Sequence, residues 1–393
     1  MQKIMKKKKI KNYKFLRIIT SLNPKYGGPA KGIIDSSEDL ISKGHNVTIV
    51  TLDKKAKNAN KKSNFKIINF KNYIGENYKF SLNFFKWLFK KKNDFDFIII
   101  HGLWQFPSLA ARLLLNGNYY VFSHGQLDPF FSQNWIKKIK KKIYWFLIEK
   151  RNLINSKSLL LTSLGEKYSL NKTYVNCEGV KKKVVGYGIR KPIFNSTKAR
   201  LLFYKKLPYL RNKIFFLFLG RFDKKKGCEI LIKSINKIRN NFKYKVLLAG
   251  PGYGENHQIL LEKLVTKYKL QDQIIFSKPL YNEEKWGAIS ECNCMLLSSH
   301  GENFGISLVE SLSLSKPVIT TNKVNISKRI MKYNAGIISK NNVASFSKSL
   351  KKYIDLSQKK KNYMSRQALK CFDIHFNISS KKNSLLNFFD KQI

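Results

Sequence analysis

Residues 292–321 constrain the fold of this chain more strongly than any other stretch. An apolar run over 294–298 is typical of a short buried parallel strand, and a polar turn follows it. From Phe304 or Gly305 onward, apolar residues recur at helical spacing until Pro317 ends the helix. A second apolar run begins there. The stretch therefore predicts a strand, a loop, a helix and a further strand, the repeating unit of an α/β protein.

This unit carries two carboxylates at defined positions. Glu302 lies in the loop before the helix, and Glu310 lies about two turns inside it, since ~3.6 residues make a turn. The unpaired amide groups of the first helical turn face the same loop and carry the positive end of the helix dipole. Such a corner suits a phosphate group or sugar hydroxyls. Two solvated glutamates on an ordinary crossover helix would give the same pattern in isolation.

Strands and helices alternate along the rest of the chain. A strand over 14–20, a helix over 30–43 and a strand over 47–51 open the first half, and the apolar strand 214–219 opens the second. Alternation of this kind predicts doubly wound parallel sheets. We therefore expect an α/β fold of two doubly wound, Rossmann-like domains.

The length of 393 residues, 43% of them hydrophobic, is too great for one ordinary core and fits two. Residues 190–211 are basic and lack clear periodicity, so we place the interdomain linker near their start. The predicted domains are residues 1–192 and 193–373. The tail 374–393 is predicted to be helical.

Polar residues and glycines cluster where predicted strands end, which is the edge where doubly wound sheets bind ligands. Two successive strands each deliver a His-Gly pair to this edge, at His101 and His124, and Asp128 follows the second. Gly27 and Gly28 form the first strand-to-helix turn, where the backbone can approach a diphosphate or simply turn tightly. The chain lacks the G-x-G-x-x-G pattern there, so a dinucleotide fingerprint is absent.

In the second half of the chain, basic residues follow the end of a predicted strand in the same way. Arg221 and Lys226 flank the turn after the strand 214–219, within a frame of glycines, and a Gly-Pro-Gly motif begins at Gly250 after the next strand. The two cations are placed to hold a phosphate at the ligand edge of the sheet. The alternative is that they are ordinary surface charges of a lysine-rich chain.

The net charge of +52 invites a nucleic-acid interpretation, which the composition does not favour. Only ten of the 76 basic residues are Arg, the residue better suited to reading bases and clasping phosphates, and the lysines are spread over every segment. The field still favours anionic partners, including an acidic membrane face. The five cysteines lack zinc-site spacing, so we expect free thiols in a reducing cytosol and no metal site.

A strongly basic helix is predicted over 132–154. Its apolar residues fall near one face, and basic amphipathic helices with aromatic residues on the apolar side suit an anionic bilayer surface. The alternative is a helix packed on the core with a solvated lysine face. The lysine run 6–9 would add to membrane attachment, whereas no apolar run approaches the ~18 residues of a membrane span and we expect no signal peptide.

Taken in order, these motifs resemble the retaining family-4 glycosyltransferases of the GT-B fold, the nucleotide-sugar-dependent group that builds bacterial polysaccharides. The resemblance spans nearly the whole chain and rests on Gly-Gly-Pro at 27–29, His-Gly-Gln-Leu-Asp-Pro at 124–129, Gly-Arg-x5-Gly at 220–227, Gly-Pro-Gly at 250–252 and Glu-x7-Glu at 302–310. The chain departs from the family after the last strand of the first domain, where Val-Gly-Tyr-Gly-Ile at 185–189 replaces the usual Pro-Asn-Gly.

The resemblance implies two Rossmann-like domains that face each other across a cleft, with a C-terminal helix over 374–393 that would return to the first domain. It also implies a metal-independent hexosyltransferase without a cofactor. It would move a hexose-type sugar, with retention, from a UDP- or GDP-linked donor to a lipid-linked or saccharide acceptor in cell-surface polysaccharide biosynthesis. In this family pattern Arg221 and Lys226 grip the donor diphosphate and Glu310 holds the ribose hydroxyls. Glu302 and His124 meet the donor sugar as catalytic residues. The remaining donor-binding positions are Gly27, Gly28, Gly250, Asn303, Phe304 and Gly305, and the acceptor-side positions are His101 and Asp128.

Two readings from other classes stay open. A sugar-nucleotide epimerase would share the fold, but the frame of two cations and two glutamates favours transfer. A basic nucleic-acid-binding or membrane-binding protein without transferase activity would need its lysines and aromatics focused on one surface. We expect a cytoplasmic protein, peripheral at the inner face of the cell membrane. Its expected partners are the nucleotide-sugar donor, a glycan or lipid-linked acceptor and the anionic membrane surface, with no nucleic acid.

Overall fold

A computed structural model describes residues 12–23, 28–53, 65–71, 77–128, 135–170, 173, 175–380 and 382–392. They form two compact units, the first within residues 1–162, 167–186 and 384–393, the second within residues 163–166 and 187–383. The division at 186–187 lies a few residues before the boundary that the sequence suggests at 192–193. Each unit is built on one parallel sheet.

The first unit holds seven parallel strands in the order β3-β2-β1-β4-β5-β6-β7. The strands are β1 (Lys14–Ile19), β2 (Asn46–Thr51), β3 (Lys66–Asn69), β4 (Phe97–His101), β5 (Tyr120–Phe122), β6 (Ser158–Leu161) and β7 (Lys182–Val184). The order reverses between β1 and β4, which in doubly wound sheets marks the ligand-binding edge. The helices are α1 (Gly28–Ser42), α2 (Leu82–Lys91), α3 (Phe106–Leu114), α4 (Trp135–Tyr144), α5 (Lys150–Asn155) and α6 (Leu164–Ser169), of which α6 has residues 164–166 assigned to the second unit.

The central strands of this sheet are buried on both faces. Every residue of β4 is buried, and β1 is buried from Phe15 to Ile19. Parallel strands need such continuous apolar sequences because helices cover both faces of the sheet. One residue breaks the apolar run of β1: Arg17, which is 1% exposed. A charged side chain at this depth requires dedicated partners.

The predicted basic helix is present as one run from α4 to α5. The two are joined by a π-helical turn over Trp145–Glu149. Turns of this kind insert an extra residue into a helix and are frequent at functional sites. Within the turn, Trp145 and Glu149 are buried while Phe146 and Leu147 are exposed.

The second unit holds six parallel strands in the order β10-β9-β8-β11-β12-β13. They are β8 (Phe215–Leu219), β9 (Lys245–Ala249), β10 (Ile274–Ser277), β11 (Cys294–Leu297), β12 (Val318–Thr321) and β13 (Gly336–Ser339). Its helices are α7 (Ser196–Lys206), α8 (Cys228–Lys237), α9 (Asn256–Lys267), α10 (Asn282–Glu291), α11 (Ile306–Ser313), α12 (Ser327–Lys332), α13 (Val343–Ile354) and α14 (Gln358–His375). Each unit is thus a doubly wound α/β domain, as the alternation predicted.

The stretch assigned to a linker contains a helix, α7, that packs against α10. A Cβ atom at Gly287 of α10 would lie 2.2 Å from the carbonyl oxygen of Ala199, so only glycine permits this approach. Ala199 and Phe203 are the residues of α7 that are fully buried. Two apolar contacts are too few to give a periodic signal, and the helix was therefore not expected from its own sequence.

The tail differs from the predicted helix over 374–393. Helix α14 ends at His375, and a short helix, α15, covers only Leu386–Phe389. Between them the chain pairs with residue 189 through Ile189 N–H to Phe376 O (2.9 Å) and Ile378 N–H to Ile189 O (3.1 Å). The helix stops because this pairing takes the backbone groups that a further turn would need. The last residues belong to the first unit, where the Phe389 ring lies 4.5 Å from that of Phe97.

Candidate active site

The unit over 292–321 has the predicted form, with β11, a loop, α11 and β12 in that order. Gly305 caps α11 with a φ of +70°, a left-handed conformation that favours glycine. The loop is tied to the segment after β12, because Glu302 N–H donates to Lys323 O (3.2 Å) and Asn325 N–H donates to Glu302 O (3.0 Å). Glu302 is therefore held at the carboxyl edge of the sheet by its own backbone.

A second loop, residues 220–227 after β8, is pressed against the loop after β11. Asp223 caps a 3-10 turn by accepting a hydrogen bond from the Lys226 amide (3.2 Å). Gly227 follows with a φ of +65°, and a Cβ atom there would lie 2.3 Å from the carbonyl oxygen of Ser298. The Ser298 hydroxyl donates to Gly227 O at 2.7 Å. Glycine at 227 is thus required by both its conformation and its neighbour.

These two loops bring Lys226 and Glu302 together. The Lys226 ammonium donates to Glu302 Oε1, and the side chains are 17% and 15% exposed. The sequence placed both residues in one site without predicting that they pair. Arg221 does not join this pair: its Nη2 lies 3.4 Å from Asp223 Oδ2, and its side chain is half exposed.

Glu310 forms a second ion pair, with a lysine that sequence reasoning missed. Lys285 Nζ on α10 lies 2.6 Å from Glu310 Oε1, and the glutamate side chain is only 5% exposed. The ammonium also lies 4.1 Å from the centroid of the Trp286 ring. Nothing in the local sequence marks Lys285, because its partner is 25 residues away and on a different helix.

Three further predicted residues of the second unit, Gly250, Asn303 and Phe304, lie in the loops after β9 and β11. A Cβ atom at Gly250 would lie 1.8 Å from Gly220 O, so only glycine permits the loops after β8 and β9 to approach each other this closely. The Phe304 ring is buried against Tyr187, with centroids 4.7 Å apart, which leaves its amide as the group able to meet a ligand. Asn303 Oδ1 accepts a hydrogen bond from Asn325 (3.3 Å).

In the first unit the two predicted histidines meet. His101, the last residue of β4, places its Nδ1 2.9 Å from Nε2 of His124, which follows β5. Their rings stack at 5.2 Å, and both lie against Phe122. Arg17 Nε donates to His101 Nε2 at 3.2 Å. Both ring nitrogens of His101 are therefore engaged within the protein, and its acceptor-side role stays a prediction.

Burial keeps both imidazoles neutral. Loss of solvent, reinforced by the positive charge of Arg17, lowers the pKa of His124 to about 3. The same causes, with His124 as a third, hold the pKa of His101 well below its usual 6.5. A neutral imidazole can donate one hydrogen bond and accept one.

Two further predicted residues of the first unit can be placed. Gly28 is the first residue of α1, whereas Gly27 lies outside the described residues. The amide of Asp128 donates to Gly125 O at 3.1 Å, closing the turn that follows His124. Among the described residues, no three His, Cys, Asp or Glu side chains are grouped so as to hold a metal ion.

Comparison with solved structures establishes the class of fold. HepE from Anabaena, solved in complex with UDP and glucose, matches with a TM-score of 0.75 at 14% identity over 97% of this chain and 100% of that one. With two parallel-sheet α/β domains, the chain has the GT-B glycosyltransferase fold.

The sequence comparisons point to one family within that fold. Residues 203–370 match the family model described as "Glycosyl transferases group 1". The chain is 25% identical over 151 residues to mouse alpha-1,3/1,6-mannosyltransferase ALG2, covering 35% of this chain and 36% of the mouse protein. It is 32% identical over 99 residues to the O-antigen biosynthesis glycosyltransferase WclY of Escherichia coli, covering 25% and 26%. The aligned stretches thus span about a third of these relatives or less, and they support the group 1 glycosyltransferase family.

Proposed function

We propose that the protein is a retaining, metal-independent glycosyltransferase. It would move a hexose-type sugar from a UDP- or GDP-linked donor to a lipid-linked or saccharide acceptor in cell-surface polysaccharide synthesis. The observation that carries this proposal is the meeting of Lys226 with Glu302, within the segment that matches the group 1 glycosyltransferases. An epimerase is not favoured, because that match is to transferases.

The cations of the second unit suit a departing nucleoside diphosphate. When the bond from the anomeric carbon to the diphosphate breaks, the diphosphate keeps the electron pair and gains negative charge. Lys226, Arg221 and the amides at the start of α11 are positive groups at the loops that would receive it. The acceptor hydroxyl forms the new bond on the same face, and its proton passes to a diphosphate oxygen.

The two glutamates take separate parts of the donor in this proposal. Glu302 lies in the loop at the start of α11 and would meet the transferred sugar. Glu310 lies inside α11, and its carboxylate, held by Lys285, would accept hydrogen bonds from the ribose hydroxyls. The family pattern implies that His124 would also meet the transferred sugar, and no cofactor would take part.

Known relatives support the substrate classes. HepE binds UDP and glucose, ALG2 is a mannosyltransferase, and WclY acts in O-antigen biosynthesis. A panel of UDP-, GDP- and ADP-sugars, tested by thermal shift and then for sugar transfer, identifies the donor. We expect stabilisation by one nucleotide class, lost in a Lys226→Ala variant. The absence of any shift, or an equal shift in the variant, would contradict the proposal.

We further propose that the protein is cytoplasmic and attaches to an anionic membrane through the helix run 135–155. Ile139, Ile143, Phe146 and Leu147 form an apolar stripe that is 47–72% exposed, and Lys140 and Lys142 are exposed beside it. The stripe points to solvent and not to the core, which favours a partner over simple packing. The lysine run 6–9 lies outside the described residues, and no described helix is long and apolar enough to span a bilayer.

Vesicle co-sedimentation tests the attachment. We expect binding to vesicles containing phosphatidylglycerol and little to phosphatidylcholine alone, with weakening as salt rises. Replacing Phe146 and Leu147 by Ser should lower binding at least tenfold, since each buried side chain contributes ~1.5–3 kcal/mol. Leu201→Ser, at a residue of α7 that is 61% exposed, is the matched control. Equal loss in the control, or equal binding to both vesicles, would refute the assignment.

A further inference from the structure

Arg17 is held by a dedicated set of acceptors inside the first unit. Its Nη1 donates to Ile33 O (3.0 Å), Ser36 Oγ (2.5 Å) and Ser37 Oγ (3.0 Å), all on α1. Its Nε donates to His101 Nε2. The guanidinium is thereby fixed between helix α1 and the carboxyl end of β4, at the point where the strand order reverses.

The chemistry of arginine sets the direction of the hydrogen bonds beyond it. A guanidinium has only donors, so His101 Nε2 must accept and carries no proton. The proton of the neutral ring is therefore on Nδ1, and this group donates to His124 Nε2 at 2.9 Å. His124 Nε2 accepts in turn, which leaves its own proton on Nδ1. One permanent cation thus dictates the tautomer of two successive histidines.

The surroundings keep the chain in this state. Arg17 is the charged group that faces the two rings from β1. On α1 the nearby Asp35 is paired with Lys31 at 2.5 Å. Burial and Arg17 lower the pKa of His124 to about 3 and hold the pKa of His101 well below its usual 6.5, so both rings are neutral at pH 7.

A purely structural role does not account for the arrangement. A buried guanidinium costs several kcal/mol of desolvation that an apolar residue on this apolar strand would avoid. His124 also adopts a φ of +48°, a left-handed conformation that non-glycine residues rarely take and that persists where the surroundings impose it. Both features lie at the ligand edge of the sheet and act on the same ring.

We infer that Arg17 is a positioning residue that acts through His101 to fix His124 as the tautomer with its proton on Nδ1. Nε2 of His124 is then occupied by His101 and does not serve as a proton acceptor. The expected effect on catalysis rests on the proposed function, in which His124 would meet the transferred sugar. The tautomer itself is a property of the protein alone and can be measured without a substrate.

Nitrogen NMR of the imidazoles tests the tautomer directly. The full chain is labelled with ¹⁵N-histidine, and the signals of its six histidines are assigned with single His→Gln variants. We expect both His101 and His124 to be protonated at Nδ1, with no titration from pH 5 to 8. Protonation at Nε2 of His124, or titration of either ring in this range, would overturn the inference.

Two substitutions separate the charge of Arg17 from its hydrogen bond. Arg17→Gln keeps a donor but loses the charge, so the imidazole pKa values should rise, while burial still holds them below the ordinary value, and any acid limb of sugar transfer should move to higher pH. Arg17→Met removes the donor as well. It should lower kcat at least tenfold at pH 7.5 with the donor KM changed less than twofold. Arg329→Met, which removes a half-buried arginine of the second unit, is the control and should change neither value.

The outcomes distinguish the two proposals. Wild-type protein that transfers no sugar defeats the proposed function, whereas the NMR result still decides the tautomer. An active wild type together with a folded Arg17→Met variant of unchanged kcat and pH profile defeats the role of Arg17 alone. Folding of the variants is checked by thermal melting and by nucleotide binding to the second unit.

Discussion

The two units place polar side chains at the same edge of their sheets but handle charge in opposite ways. In the first unit, one buried arginine donates to neutral groups and the histidines beside it are uncharged. In the second unit, Lys226 and Lys285 are each paired with a carboxylate, and their side chains are 17% and 21% exposed to solvent.

Because of this difference, the buried arginine keeps its hydrogen-bond partners, whereas the partly exposed lysines can change their ion-pair partners. A hydrogen-bond chain set by a buried arginine has a single polarity and does not rearrange when a ligand arrives. A partly exposed ion pair contributes at most a few kcal/mol, because solvent screens it. In the proposed function, a diphosphate would therefore displace Glu302 from Lys226 and free that carboxylate for the sugar. We conclude that the second unit is built to exchange partners and the first to hold one group still.

The glutamates show the same contrast. Glu302 and Glu310 each have a lysine partner, whereas Glu149 in the π-helical turn of the first unit is fully buried. Its Oε2 accepts from the Trp104 amide (3.1 Å) and the Ser108 hydroxyl (3.2 Å), while Oε1 has no partner among the described residues. Burial raises the pKa of Glu149 to about 7.

The largest expected effect comes from separating the paired glutamates. Glu302→Gln should lower kcat by ~10²–10³-fold, because charge stabilisation near the reacting sugar is realised in the transition state. Nucleotide without a sugar should bind this variant at least as tightly as wild type, since Lys226 loses its competing carboxylate. Glu310→Gln should raise the donor KM more than it lowers kcat, and should weaken nucleotide binding. Steady-state kinetics and calorimetry give both quantities.

The Glu310 variant needs a control, because it leaves Lys285 without its partner. A double variant, Glu310→Gln with Lys285→Met, removes both charges and separates lost binding from a destabilised fold. If the double variant regains thermal stability but not nucleotide affinity, Glu310 acts on the donor. A pattern in which Glu310 governs kcat and Glu302 governs KM would show that the two roles are reversed.

The second effect concerns Glu149 and is a stability change of about 3 kcal/mol between pH 4.5 and 8. The folded pKa of about 7 lies above the value of 4.5 for a free glutamate. The unfolded chain thus loses the proton first as pH rises, and folding stability falls between those values. Glu149→Gln mimics the protonated acid, so the variant should lose less stability than wild type over this range.

Urea denaturation of both proteins across the pH range measures the Glu149 effect as a difference, in which contributions of the other groups cancel. Glu178→Gln, at an exposed carboxylate of the first unit, is the matched control and should follow wild type. Parallel stability curves for wild type and Glu149→Gln would mean that the carboxyl group is ionised or hydrated in the folded protein.

The third effect is the loss of one phosphate contact. Lys226→Ala should weaken binding of a nucleoside diphosphate by ~1.5–3 kcal/mol, or roughly 10- to 150-fold. Lys224→Ala removes the same charge from an exposed position two residues away and should change affinity less than threefold. Calorimetry at two salt concentrations separates the contact from the general field. Equal losses in the two variants would indicate that the overall charge, and not Lys226, attracts the ligand.

The sequence predicted the elements that local pattern determines. The strand over 318–321 was expected at the residues where β12 lies, and the β11 strand within one residue of its end. Short apolar runs bounded by glycine or proline carry this information locally. The two-domain α/β architecture followed from the alternation of such runs.

Pairings across the chain could not be predicted in the same way. Lys285 meets Glu310 only because α10 and α11 are neighbours in the folded sheet, and Arg17 meets His101 across 84 residues. A lone arginine in the apolar run of β1 was the visible signal for the second pairing, since a charge there must either be exposed or have buried partners. Which partners it has depends on strand order, which local periodicity does not fix.

The smallest expected effect is that of a metal chelator on turnover, and we expect activity to change less than twofold in EDTA. The carboxylates of the loop 220–227, of the loop before α11 and of α11 itself already form ion pairs: Asp223 with Arg221, Glu302 with Lys226, and Glu310 with Lys285. A divalent ion would have to displace these lysines and arginine, which themselves supply the positive charge that a leaving diphosphate needs.

The comparison sharpens if Lys226→Ala is assayed beside wild type with EDTA, then with added manganese. Activity lost in EDTA and restored by manganese in wild type would show that a metal shares the work of the second unit. Rescue of the variant alone would show instead that manganese can replace the missing ammonium, and that Lys226 performs the task in the native protein.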